Sequence, residues 1–182
     1  MKELSLHILD IVQNSIGAKA SLVEIYINED VKNDLLIIKI KDNGTGMDAA
    51  TAQKVMDPFY TTRTTRKVGL GIPLFAQAAE SCGGELKIFS EKGKGTEVVA
   101  TFKLSHIDRA PIGSMADTMV SLIVLCPGVD YVYRHCVGDR EFTLDTRQIK
   151  KTLEEVPINN PMVVDWIKSY INENLKEING GA

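Results

Sequence analysis

Cysteine is scarce: Cys82, Cys126 and Cys136 are odd in number and form no Cys-x-x-Cys pair. That argues against a disulfide framework or a thiolate metal site, and for a reducing, cytoplasmic setting. An excess of charge of either sign is also lacking. The 21 basic and 24 acidic residues are well mixed and leave a net charge of −3, so there is no electrostatic footprint for nucleic acid or for an anionic membrane. The longest apolar run, Met119 to Leu125, is interrupted by Ser121 and falls far short of the roughly 20 residues that span a bilayer. Met1-Lys2-Glu3 lacks a basic region followed by a long apolar stretch, so no signal peptide is expected. Internal repeats and low-complexity stretches are missing. So are the phosphate-binding patterns Gly-x-x-x-x-Gly-Lys-Ser/Thr and Gly-x-Gly-x-x-Gly after a strand. What is present is 182 residues, 44% of them hydrophobic, enough to bury a core in one domain or a domain with a small appendage.

Apolar spacing predicts a helix over Glu3 to Ala18, with Leu4, Ile8, Ile11, Val12 and Ile16 on one face. Glu3, His7, Asp10 and Asn14 form a polar stripe on the other face, and Glu3 and His7 read there as solvated. Two strands follow, Leu22 to Asn28 and Leu35 to Lys41, joined by a polar hairpin. Leu36, Ile38 and Ile40 share one parity of the second strand, and Asp42 falls on the same parity, facing inward. A carboxylate directed into a core requires hydrogen-bond donors, which a ligand is able to supply; an Asp-Asn-Gly turn ending a strand accounts equally well for the position read alone. Asp48 caps a short helix to about Met56, and Phe59 to Val68, rich in Thr and basic residues with no apolar period, reads as a mobile loop. A helix over Ile72 to Cys82 and strands over Glu85 to Ser90 and Glu97 to Leu104 complete the first part, with Thr96 on the inward parity of the last strand. Beyond about Asp108 the pattern predicts a helix from Ile112 to Leu125, a hairpin of Asp130 to Cys136 with Glu141 to Leu144, a helix capped by Thr146 running to Val156, and a last helix opened by Asn160-Pro161. Trp166, Ile167, Tyr170, Ile171 and Leu175 are its expected core stripe.

Gly69-Leu70-Gly71 ahead of a helix suits an anion, since exposed amides and the positive helix end point at it, and Arg63, Arg66 and Lys67 add charge nearby. Asp10 and Asn14, at i and i+4, present a carboxylate and an amide oxygen to one spot. The amide oxygen is a hard ligand suited to Mg²⁺, and the carboxylate is placed to orient or deprotonate a nucleophile. In order, Asp10-x-x-x-Asn14-Ser15, Asp42-x-Gly44-x-Gly46, Pro58-Phe59-Tyr60-Thr61-Thr62, Gly69-x-Gly71 and Gly93-x-Gly95-Thr96 resemble the GHKL superfamily of gyrase, the heat-shock ATPase chaperone, histidine kinases and MutL.

The resemblance covers roughly Met1 to Leu104 and implies an α/β fold: a two-layer α/β sandwich of the Bergerat, histidine kinase-like ATPase type with a mixed sheet, holding ATP under a lid. It implies that Asp42 accepts the adenine amino group with support from Thr96, and that Asn14 holds Mg²⁺. It further implies that Gly44, Gly46, Met47, Thr61, Thr62, Arg63, Lys67, Gly69, Leu70 and Gly71 line the nucleotide site. The lid resembles histidine kinases, whereas Asn14-Ser15-Ile16-Gly17-Ala18 is more similar to MutL. Asp10 stands where the superfamily's hydrolases and serine kinases carry a general base, one methylene shorter than their usual Glu. Because the motif run begins close to Met1, no dimerising hairpin with a phosphoacceptor histidine is expected.

These readings together predict an ATP-binding domain over residues 1–108 and a C-terminal unit of helices and a hairpin over 109–182 that meets a protein partner or a second copy. The expected activity is that of a stand-alone protein kinase or slow ATPase, in a monomer or homodimer without nucleic-acid or membrane partners. A nucleotide-driven switch without chemistry is the alternative.

Overall fold

The computed structural model describes residues 2–57, 59 and 70–180. The first helix, α1 (Leu4–Gly17), buries Leu4, Ile8, Ile11 and Val12 along one face. Its two leading amides donate to the carbonyls of Pro111 (2.9 Å) and Ile112 (2.8 Å), so a distant linker satisfies groups that a helix start leaves unpaired. Strands β1 (Leu22–Asp30) and β2 (Leu35–Asp42) form the expected antiparallel hairpin, with Leu36, Ile38, Ile40 and Asp42 on the buried parity. Then come α2 (Ala49–Lys54), α3 (Gly71–Ser81), β3 (Leu86–Glu91) and β4 (Gly95–Lys103). Asp48 caps α2 as read from the sequence, accepting from the Thr51 amide at 2.7 Å.

The C-terminal part contributes α4 (Met115–Leu125), β5 (Asp130–Val137), β6 (Arg140–Asp145), α5 (Thr146–Leu153) and α6 (Pro161–Ile178). Its hairpin joins the sheet already built, because β5 pairs in parallel with β1 through a crossover that includes α4. One mixed sheet results, in the order β3-β4-β2-β1-β5-β6, so residues 1–108 and 109–182 share it. The buried parity of its strands carries Val23, Ile25, Ile27, Val98, Ala100, Phe102, Tyr131, Tyr133 and Leu144 against the helices. The other parity carries Glu24, Lys39, Lys41 and Arg134, at least partly exposed to water. At about 1.5–3 kcal/mol for each large apolar side chain removed from water, this helix-facing layer is the main stabilising term.

Five details depart from the sequence reading. His7 is 3% exposed, not solvated, because α3 lies across α1 and stacks Phe75 on the imidazole at 5.1 Å between ring centroids. Helix α4 starts at Met115 instead of Ile112, since Ser114 caps it and Pro111 and Ile112 are committed to α1. Thr146 does not cap α5: Asp145 accepts from the Arg147 amide there, while the buried Thr146 hydroxyl accepts from the Tyr131 amide at 2.8 Å. Helix α5 also ends at Leu153, short of Val156. Ile167 and Ile171 are core, but Trp166 and Tyr170 stack on each other at 4.9 Å at the surface, 53% and 36% exposed.

Candidate functional site

Asp42 closes β2 and is 8% exposed. Its carboxylate is held from two sides: the Ser15 hydroxyl on α1 donates to Oδ2 at 2.6 Å, and the Gly44 amide donates to Oδ1 at 2.8 Å. Each oxygen retains further acceptor capacity. Ser15 is the site residue that the sequence reading passed over. Its position one turn after Ile11, on the apolar face of α1, was the available signal, because a hydroxyl on a buried face requires a partner.

The stretch from Asp42 to Met47 is strapped to both neighbours. Thr45 donates to the Ala18 carbonyl at 2.8 Å, and its own carbonyl accepts from the Gly93 amide at 2.6 Å. Asn43 Oδ1 accepts from the Ser21 and Leu22 amides, and the Met47 amide donates to Ser90 Oγ at 2.8 Å. Two glycines are obligatory here. Gly46 has φ +66°, and a Cβ on it would lie 2.0 Å from the Glu91 carbonyl oxygen; Gly95 has φ +110°, and a Cβ there would lie 1.9 Å from the Asp42 carbonyl oxygen. Side chains at either position would separate the loop from the β3–β4 turn.

Across the sheet, Asp42 pairs with Thr96 and Thr96 pairs with Ser90. The three side chains therefore form one row on the helix-facing side, with Ser90 Oγ and Thr96 Oγ1 2.8 Å apart.

The other end of the site is the start of α3. Leu70 is its N-cap residue and provides no side-chain cap, at the end of the helix where the backbone dipole is positive. A Cβ on Gly71 would lie 3.4 Å from Asp10 Cβ and 3.8 Å from Asn14 Nδ2, so this helix start abuts the carboxylate and amide of α1. One turn earlier on α1, burial lowers the His7 imidazole from 6.5 to about 4, with the chain's positive amino terminus adding to the effect. Its Nδ1 is buried with no hydrogen-bond partner.

The structure thus brings Asp42, Gly44, Gly46, Met47 and Thr96 together at one end of α1, and Asp10, Asn14, Leu70 and Gly71 at its side. Thr61, Thr62, Arg63, Lys67 and Gly69, with the rest of the expected lid apart from Phe59, lie outside the described residues. No group of three or more His, Cys, Asp or Glu side chains suited to a metal occurs among the described residues. No helix among them is long and apolar enough to cross a membrane.

The sequence profile described as histidine kinase-, DNA gyrase B-, and HSP90-like ATPase matches residues 2–106. The chain belongs to this ATPase family. Within it, a putative sensor protein of Shewanella frigidimarina is 36% identical over 56% of this chain and 16% of its own length. Sensor protein kinase FleS of Pseudomonas aeruginosa is 34% identical over 60% of this chain and 27% of its own, and sporulation kinase C of Bacillus subtilis is 33% identical over 48% and 20%. The chain therefore spans less than a third of the length of these relatives. A crystal structure of the N-terminal domain of a DNA repair protein superposes with a TM-score of 0.56 at 15% identity, covering 80% of this chain and 53% of that one, which supports the fold alone. The family's ATPase domain of histidine kinase type occupies β1 to β4 with α1 to α3; β5 and β6 extend its sheet.

Proposed function

We propose that the row around Asp42 and the α1–α3 junction are the two ends of one Mg²⁺-ATP pocket. In this reading the chain acts on a protein partner as a protein kinase or slow ATPase. The observation that carries it is the juxtaposition at Gly71, where a helix start able to receive phosphate meets Asp10 and Asn14. Asp42 and Thr96 would accept from the adenine amino group, with Gly44, Gly46 and Met47 lining the base. Leu70 and Gly71 would offer amides to phosphate, together with Thr61, Thr62, Arg63, Lys67 and Gly69 from the lid. Asn14 would hold Mg²⁺, which when bound neutralises charge on phosphate oxygens. The fit is chemical: Asp42 is an acceptor with two donors already fixing its orientation, and Asn14 offers the hard amide oxygen that Mg²⁺ takes. Asp10 would orient or deprotonate the attacking hydroxyl or water. Residues 109–182 would form the surface that meets the protein partner or a second copy.

The binding test is thermal stabilisation by ATP with Mg²⁺, expected for the wild type and abolished in Asp42→Asn; a shift that survives the substitution overturns the adenine assignment. The chemical test follows γ-labelled ATP into free phosphate and labelled protein, with and without cell extract, beside Asp10→Asn. Stabilisation without turnover above that variant would assign the chain instead as a nucleotide-dependent conformational switch.

A further inference from the structure

Ser90, Thr96 and Asp42 are cross-strand neighbours on β3, β4 and β2, facing the same side of the sheet. The contacts of Ser90 restrict where its proton goes. Its Oγ receives the Met47 amide at 2.8 Å, lies 3.1 Å from the Gly95 carbonyl oxygen as a donor, and lies 2.8 Å from Thr96 Oγ1. A hydroxyl has one proton and two lone pairs. The Gly95 carbonyl is able only to accept and the Met47 amide only to donate. If the Ser90 proton goes to Gly95, the amide takes one lone pair, and the other is filled by the Thr96 hydroxyl donating. All three valences of Ser90 are then used.

We propose that Ser90 is a specificity-determining residue: by taking the Thr96 proton it leaves Thr96 Oγ1 a pure acceptor, so that Thr96 and Asp42 together select a 6-aminopurine over a 6-oxopurine nucleotide. This rests on the adenine end of the pocket being where the proposed function locates it. Asp42 reaches the same polarity by a different route, as a carboxylate with Ser15 and the Gly44 amide donating to it. The row therefore presents two neighbouring acceptors, which match an exocyclic amino group and leave a carbonyl oxygen facing lone pairs. Ser90 does this without touching the base. It is a positioning residue, acting through the hydroxyl rotor of Thr96.

The test measures Kd for ATP and for inosine triphosphate, each with Mg²⁺, by calorimetry on the full chain. The variants are Ser90→Ala, Ser90→Thr, Thr96→Val and the Ser90→Ala/Thr96→Val double variant. Losing the acceptor for the Thr96 proton frees that hydroxyl to donate, so Ser90→Ala is expected to cut the preference for ATP over inosine triphosphate about 3- to 10-fold, the worth of one hydrogen bond. Ser90→Thr, which keeps the hydroxyl, is expected to restore the preference. In the Thr96→Val background Ser90→Ala should leave the ratio unchanged, because the rotor it controls is gone. Equal weakening of both nucleotides by Ser90→Ala would mean that Ser90 only anchors Met47 and would overturn the proposal. If Ser90→Ala does not fold, Ser90→Cys tests the same point, since sulfur is the weaker acceptor and the ratio must still fall. Failure of the wild type to bind ATP overturns the underlying pocket, whereas tight ATP binding with a ratio insensitive to Ser90 overturns this inference alone.

Discussion

His7 is buried against Phe75 as a neutral imidazole, and acid should therefore unfold this protein earlier than its carboxylates alone would dictate. In the unfolded chain the ring titrates near 6.5, and in the folded chain burial lowers that to about 4. Between those values the unfolded state binds a proton that the folded state refuses, so stability is fully present above 6.5 and is lost as the pH falls toward 4. At about 1.4 kcal/mol per unit, the whole difference amounts to roughly 3 kcal/mol, of which about 2 kcal/mol is gone at about pH 5. Carboxylates held low by hydrogen bonds, such as Asp34 through Ser105, titrate below this window. Urea denaturation followed by circular dichroism at about pH 7.5 and about pH 5 is the assay, with His7→Phe as the comparison because it keeps an aromatic ring against Phe75 and does not titrate. The wild type should lose roughly 2 kcal/mol more than the variant between the two conditions. Equal losses would refute the reasoning, showing that the ring reaches water or a partner in the folded protein.

Other substitutions test the site and the sheet. Ser15→Ala removes the 2.6 Å donor to Asp42 and should lower stability by about 1–3 kcal/mol while also weakening ATP, read by denaturant melts and titration. Gly46→Ala, at φ +66° with its Cβ 2.0 Å from the Glu91 oxygen, should cost roughly 3 kcal/mol or more and abolish ATP-induced stabilisation; a near-neutral melt would contradict the strapped loop. Thr146→Val keeps shape but strands the Tyr131 amide, and a loss of about 1–3 kcal/mol in urea is expected.

How much of this was legible beforehand differs from residue to residue. The inward direction of Asp42 and Thr96 followed from the period of two in their strands, because neighbouring Leu36, Ile38 and Ile40, or Val98 and Ala100, had to be inside. The caps at Asp48 and Asn160 were legible because a cap is a contact across a few residues. His7 was misread because Glu3, His7, Asp10 and Asn14 make a continuous polar stripe, and only the packing of α3 decides that one member of it is covered. Trp166 and Tyr170 were misread in the opposite sense, since an apolar stripe wider than the surface it docks on leaves its margin in water.

Local pattern by itself determined most of the elements, the ordered motifs of the ATPase family and the inward face of Asp42 and Thr96, because backbone periodicity and capping act over a few residues. Only tertiary structure decided which motifs meet. The parallel pairing of β5 with β1, the linker carbonyls at the start of α1, the approach of Gly71 to Asp10 and Asn14 and the pairing of Asp42 with Thr96 join residues far apart in the chain. Their energies belong to pairs that no local window contains, so whether an imidazole such as that of His7 is covered is settled by a helix which the sequence places elsewhere.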